Sequence, residues 1–576
     1  MRTTVLCQQT LESGRHFRTI DPMPLPPLLR LTPRNALITD PPQTGFVIAI
    51  VLVYLLTGLF GRDPWKGEDA LNIGIALGFA RDGGWLVPRL AGQPWLDAPP
   101  LFHWVAALTG QTGTWLGASF ADGARLANAL FLALWLWGSA GAARELYGPA
   151  AARVAPLIGI ACIGAVVHLH DAQTSTSLLA SLGLGMWALA LVARKPWHGS
   201  AVLVLALAIS GLGTGLWLTA LLLLAAAVMP VLPVWRQVAG TPARMIALPL
   251  SMLLGALLAG LWLIVLSQTH PAFAARVWLQ DISRLAPEWT LMVNAAGTWI
   301  KVLAWFAWPA LPLAGWALWN RRQQWRSPVV TLPVLLFLLL LIQASGDGPA
   351  RNQRILPLIA PLVVLGSAGL PTLRRGAANA LDWFGVMTFS LLGAIIWLGW
   401  IAMTTGWPER LARTFSRLEP GFVMSLPWWS ALLAGTVTLA WLFMLWRSPR
   451  TPTRSAVTWG CGMVLIWFLI SSLWLPWIDY GRSYRGVAAD MSAALPAERR
   501  CVAFRGLQES QRAAFYYFAD LRPLDAASAA GRKCDVLLSY HGRGRKPPVP
   551  EDGWTLIWQG RRPGDRHERF LLYSRS

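Results

Sequence analysis

Charge is what this sequence has least of. Only 13% of its 576 residues are Asp, Glu, Lys or Arg, against about a quarter in soluble domains. With 55% hydrophobic residues and 34 Trp, that scarcity excludes an ordinary soluble chain and fits a polytopic membrane protein. Acidic residues are the rarer sign, 28 against 49 Lys and Arg, for a formal net charge of +21. The excess does not point to nucleic acid, because the Arg residues sit mainly at the ends of apolar runs, where they set orientation. Cysteine is also sparse, and none of the five has zinc-type spacing. Cys162 and Cys461 fall in apolar runs. Cys501 and Cys534 lie in the polar C-terminal segment and can pair if that segment is outside the cytoplasm, which spacing alone leaves open. No convincing internal repeat supports the transporter alternative.

Residues 1–44 lack the features of a cleavable signal and read as a cytoplasmic tail. Apolar length with flanking Arg and Lys then places spans at about 45–61, 124–143, 151–168, 177–193, 199–214, 216–234, 245–267, 296–319, 328–344, 355–371, 382–403, 427–446 and 457–476. About thirteen spans put the N-terminus inside and the C-terminus outside. The segment 100–118 reads as an interfacial helix. Residues 45–476 are thus expected to form an all-α membrane domain, with an outer loop at 62–123. Residues 477–576 alternate strand and helix signals and predict a small outer α/β domain.

The loop following the first span concentrates charge beside apolar surface, which is costly and tends to be functional. It carries Glu68, Asp69 and Asp97 beside Arg62, Lys66, Arg81 and Arg89. A short helix is predicted over 69–80, stopped by Asp82-Gly83-Gly84. Glu68 and Asp69 suit general-base chemistry, or the first-turn macrodipole alone. Outer loops farther on carry Arg276, Arg284, Arg351, Arg354, Arg410, Arg413 and Arg417; basic residues on that face suit anionic headgroups or phosphates.

Two segments carry a resemblance. The first is Glu68-Asp69, then Gly83-Gly84-Trp85-Leu86-Val87-Pro88-Arg89-Leu90-Ala91-Gly92, then Leu96-Asp97-Ala98-Pro99. The second is Arg351-Asn352-Gln353-Arg354-Ile355-Leu356-Pro357, continuing to Pro361. They resemble the polyprenyl-phosphate-sugar-dependent membrane glycosyltransferases. That group includes the 4-amino-4-deoxy-L-arabinose lipid A transferases and, more distantly, the protein O-mannosyltransferases. Its patterns are Asp-Glu, Gly-Asp-Trp-x-x-Pro-x-x-x-Gly, Phe-Glu-Lys-Pro and Lys-Arg-x-x-Tyr-x-Leu-Pro-x-x-Pro. This chain departs from them in its swapped acidic pair, in Ala98 at the lysine of Glu-Lys-Pro, and in Thr214-Gly215 where a mid-chain Lys-Gly stands. The run His168–Ser177 replaces an Asp often found after the third span.

The resemblance implies a C-type glycosyltransferase fold in a bacterial inner membrane. It implies transfer of a sugar from a polyprenyl-phosphate donor to lipid A, another glycolipid or, less so, protein, on the periplasmic face. The alternatives are a flippase of lipid-linked precursors and a non-catalytic envelope-binding relative. Glu68, Asp69 and Asp97 are the candidate catalytic residues. Arg62, Arg89, Arg351, Arg354, His103 and Asp171 are the candidate substrate-binding residues. Fixed guanidinium groups match the phosphate charge that grows as the donor leaves. Asp97 with His270 could hold a divalent metal, as resembling enzymes sometimes do at these places. Donor, acceptor and membrane lipids are the partners expected, and nucleic acid is not.

Overall fold

A computed structural model describes residues 42–231, 242–285, 289–346, 352–424, 428–449, 451, 453–542 and 553–575. Nearly all of the tail expected at 1–44 lies outside them, as does Arg351. The chain is a multi-pass membrane protein, mostly helical, with a sheet-bearing unit at its C-terminal end. Among the described residues, eight helices are long and apolar enough to cross a membrane, and a ninth if one sharply bent pair counts as a span. Four shorter apolar helices accompany them, including α1 (Thr44–Leu56).

The long helices approach closely where glycines face one another. Helices α4 (Phe120–Tyr147) and α6 (Ser175–Val192) meet at Gly183, where an added Cβ would come 2.7 Å from the Trp135 carbonyl oxygen. Small residues at such crossings let dispersion act between backbones where lipid removes the hydrophobic drive.

Two expected spans are not continuous helices. The run 151–168 is α-helical only as α5 (Pro149–Ile160); a single 3-10 turn, Ile163–Ala165, follows before the chain leaves the helix. The run 296–319 breaks between Ala296–Phe306 and Ala310–Asn320, at a 101° bend. The breaks meet: the Ile163 amide donates to the Trp308 carbonyl at 3.0 Å. Each supplies a partner that the other's lost helical ladder left open, the condition for non-helical backbone at membrane depth. The first break frees residues 161–174 to run back toward the loop that follows α1.

That loop holds α2 (Glu68–Asp82), which starts with two acids in its first turn and ends at Gly83 and Gly84, both at positive φ. A two-residue hairpin follows, β1 (Arg89–Leu90) with β2 (Gln93–Pro94), then α3 (Leu101–Trp115). The C-terminal unit is a five-stranded sheet of β3 (Val502–Arg505), β4 (Leu524–Asp525), β5 (Val536–His541), β6 (Trp554–Gly560) and β7 (Arg569–Arg575). Its order is β4-β3-β5-β7-β6, parallel across β4-β3-β5 and antiparallel thereafter. Cys501 and Cys534 form a disulfide within it.

The sheet unit packs on the loop through its helix Glu509–Ala519. A Cβ at Gly74 of α2 would lie 2.7 Å from the Ala513 methyl, so only glycine fits there. Buried Glu568 accepts from Lys66 (3.2 Å), Tyr484 (2.9 Å), Gln511 (2.9 Å) and Arg562 (2.8 Å). Asp82 accepts from Arg522 at 2.8 Å, and Asp63 from Arg485 and from Ser483. Loop and sheet unit therefore lie on one face of the molecule.

Candidate functional site

The loop is tied down by a buried ionic cluster centred on Asp69. Arg125, from the first turns of α4, grips both oxygens of that carboxylate, Nε at 3.1 Å and Nη2 at 2.8 Å. The amides of Trp65 and Ala172 donate to it at 3.1 and 2.8 Å. Arg125 also donates to the carbonyls of Leu59, Arg62 and Asp63. Arg62 lies 3.5 Å from Asp69 and 3.2 Å from Asp171, and donates to the His170 carbonyl at 2.7 Å. Burial works against the Asp69 charge, but Arg125 and Arg62 outweigh it and hold the carboxyl well below its usual range. Burial dominates at Asp171 and, with the Asp69 charge, pushes its carboxyl up despite Arg62.

Asp69, Arg62 and Asp171 are thus bound to one another and to backbone. Asp69 is only 1% exposed and its oxygens are already saturated with donors. These contacts join the loop, α4 and the 161–174 segment.

His103 is also inside. Its Nε2 lies 2.9 Å from Asn72 Oδ1, while the Asn72 amide donates to the carbonyls of Glu68 (2.9 Å) and Ala172 (3.0 Å). With the Asn72 nitrogen so engaged, Nε2 carries the proton in that contact. Burial lowers the imidazole pKa to about 3, so the ring is neutral. Through Asn72 it fixes the start of α2, where half-buried Glu68 receives a further Asn72 contact at 3.3 Å.

An open cavity of about 200 Å³ begins where the 161–174 segment ends, at Thr174. Asp97 and Ala98 of the loop line it with Thr174 and Ser175 at the start of α6. Gly213 and Thr214, at the end of α7 (Pro196–Gly213), and Trp217 of α8 (Leu216–Val228) form another wall. Arg284, Gln343, Arg354 and Pro357 complete it. Asp97 and Arg354, read from separate segments, thus meet in one cavity.

Asp97 Oδ1 accepts from Gln280 at 3.0 Å, and the Asp97 carbonyl accepts from Arg284 Nη2 at 3.1 Å. Both donors come from the end of the amphipathic helix Pro271–Ser283. His270 caps the other end of that helix, ten residues before Gln280, about 15 Å along the axis. The pair expected to share a metal is therefore separated. Among the described residues no group of three or more His, Cys, Asp or Glu is placed to hold a metal ion.

Arg89 is exposed on the hairpin and is not among the cavity-lining residues. Glu509 is a carboxylate that loop reading misses. It stands at the start of the sheet unit's helix, and partial desolvation with the charges of Asp97 and Glu68 raises its pKa. No local signal marks it, nor Gln280, whose partner Asp97 is far away in sequence, nor Arg125, whose main partner is Asp69; Arg284 stands out in the sequence only as one of several outer-loop arginines.

No family model matches the sequence. The chain is 28% identical over 347 residues to undecaprenyl phosphate-alpha-4-amino-4-deoxy-L-arabinose arabinosyl transferase 1 of Sodalis glossinidius (strain morsitans), covering 56% of this chain and 57% of that one. It is 26% identical over 346 residues to the corresponding transferase of Serratia proteamaculans (strain 568), covering 56% and 58%. The match spans little more than half the length of these curated relatives. In structure the chain is similar to ArnT of Cupriavidus metallidurans in the apo state, with TM-score 0.61 and 15% identity over 92% of this chain and 97% of that one. For ArnT bound to undecaprenyl phosphate the TM-score is 0.58, with 16% identity and the same coverage. The chain shares the fold of this ArnT, and the resemblance carried by its loop motif is met in both sequence and architecture.

Proposed function

We propose that the chain transfers a sugar from a polyprenyl-phosphate donor to lipid A or another envelope glycolipid, on the periplasmic face of a bacterial inner membrane. The observation that carries this reading is the cavity in which Asp97, Arg354 and Arg284 face a common space. The curated relatives use an undecaprenyl-phosphate sugar, by their names, and an ArnT of the same fold binds undecaprenyl phosphate. The disulfide supports the face. Such bonds persist in oxidising compartments, and the unit that holds this one packs on the loop that contributes Asp97.

In this reading the acceptor hydroxyl oxygen bonds to the anomeric carbon of the donor. The carbon–oxygen bond to phosphate breaks, its electron pair leaving with the polyprenyl phosphate. Arg354 balances the charge that develops there. Asp97 has one oxygen engaged by Gln280, and its other oxygen takes the hydroxyl proton. Arg351, beyond the described residues, is proposed to assist Arg354. Glu509 lies within reach of the Asp97 and Glu68 charges, while Asp69, Arg62, Asp171 and His103 hold the loop.

The test is mass spectrometry of envelope lipids from wild type, a deletion strain, and the deletion complemented with Asp97→Asn or Arg354→Gln. The expected result is a fixed sugar-sized mass lost from one glycolipid on deletion and restored by neither variant. Full restoration by both variants would overturn the assignment of this cavity. An unchanged lipid profile on deletion would overturn the glycolipid acceptor.

A further inference from the structure

Two positions where the resembled glycosyltransferases carry lysine are uncharged here, Ala98 and Thr214. They are 116 residues apart in sequence, yet both line the same cavity. The cavity has not lost its positive charge, because Arg284 enters it from a third segment.

The anchoring of Arg284 is specific. Its Nη2 donates at 3.1 Å to the Asp97 carbonyl, the carbonyl of the peptide bond that joins Asp97 to Ala98. Its Nη1 lies 3.9 Å from Asp281 Oδ1. The other Asp281 oxygen accepts from the Leu216 amide at 2.8 Å, two residues beyond Thr214. Gly215 between them is at φ +123°, and a Cβ there would lie 2.5 Å from Asp281 Oδ1. The Arg284 guanidinium therefore contacts the Asp97–Ala98 peptide directly and reaches the Thr214–Leu216 stretch through the Asp281 carboxylate. The Arg284 side chain keeps 24% of its surface accessible, so it is not consumed by these contacts.

We infer that Arg284 is the substitute cation of this site, binding the donor's phosphate in place of ammonium groups at 98 and 214. This rests on the polyprenyl-phosphate reading above and extends it to a residue and a mode of recognition. A guanidinium offers five donors in a planar fork. Two directed toward backbone and Asp281 leave others for phosphate oxygens, with Arg354 on the same cavity wall. A purely structural Arg284 would tie the loop to the helix ends and contribute nothing to an anion.

The experiment measures binding of undecaprenyl phosphate to the purified full chain in detergent, by native mass spectrometry. The variants are Arg354→Gln, Arg284→Gln, Arg284→Lys, and Arg284→Gln combined with Ala98→Lys or Thr214→Lys. Size-exclusion profiles establish that each is folded. Arg284→Gln is expected to weaken binding about 10- to 100-fold, the loss of a charge-assisted hydrogen bond. Ala98→Lys in that background is expected to recover at least half of the loss on a logarithmic scale, because it returns a cation without restoring the arginine's contacts.

A wild type that binds, an Arg354→Gln that does not, and an unaffected Arg284→Gln overturn this inference and leave the function intact. Weakened Arg284→Gln rescued by neither lysine also overturns it, assigning Arg284 a structural role. A folded wild type with no affinity for the lipid phosphate overturns the polyprenyl-phosphate reading, and this inference with it.

Discussion

Arg125 holds both carboxylate oxygens of Asp69 at 3.1 and 2.8 Å, with both side chains removed from solvent. The pair lies 56 residues apart in sequence and joins the outer end of α4 to the start of α2. Breaking it by Asp69→Asn leaves Arg125 buried with half its charge compensation. The expected cost is about 3–5 kcal/mol, read as a lower melting temperature in detergent and poor yield. The double variant Asp69→Asn/Arg125→Gln is expected to melt higher than either single one. Asp69→Asn with wild-type melting would contradict the holding role.

His103 makes stability depend on pH. Its folded pKa is lowered by burial to about 3, whereas the unfolded ring titrates at about 6.5. Between those values the unfolded state binds a proton that the folded state does not. Stability therefore falls as pH falls, by up to about 1.4 kcal/mol per pH unit, or about 2 kcal/mol from pH 6.5 to 5. His103→Gln is expected to flatten this slope in melting curves taken across that window. An unchanged slope would show that other groups carry it.

Glu568 collects four donors at the junction of loop and sheet unit. Glu568→Ala removes the acceptor of the buried Tyr484 hydroxyl and of Arg562 Nε, leaving Arg562 only its contacts to the Gly481 carbonyl and Asp565. The expected result is faster hydrogen exchange in residues 502–525 and 62–82, with the membrane helices unchanged. Exchange confined to the immediate site would contradict a docking role.

The disulfide closes a separation of 33 residues. Chain-entropy estimates give about 3–4 kcal/mol for such a loop. Cys501→Ser/Cys534→Ser is expected to unfold the sheet unit at lower denaturant while the membrane helices persist. An unshifted midpoint would show that the sheet stands without it.

The parts of the fold governed by local chemistry were legible in the sequence. The helix expected at 69–80 is found as α2 over 68–82, because acids in its first turn and two glycines at its end act within a few residues. The broken spans were not legible. Hydropathy reads 151–168 as one run, but Ile163 finds its acceptor at Trp308, far along the chain. Arg125 was hidden similarly, at the start of a run read for its apolar length. Asp97 and Arg354 stand in separate motifs, and the structure brings both to one cavity. Asp69 shared their motif but is enclosed by partners that only tertiary packing supplies.

Transfer through the Asp97–Arg354 cavity is tested most directly by turnover with purified protein in proteoliposomes. Polyprenyl-phosphate sugar and a glycolipid with free hydroxyls and no phosphate are supplied, and free polyprenyl phosphate and sugar-bearing glycolipid are quantified together. The two are expected in equal amounts with wild type, and both are expected to fall at least about 100-fold with Asp97→Asn, as loss of a general base requires. Equal turnover by wild type and Asp97→Asn, or donor loss with no glycosylated acceptor, would contradict transfer through this cavity.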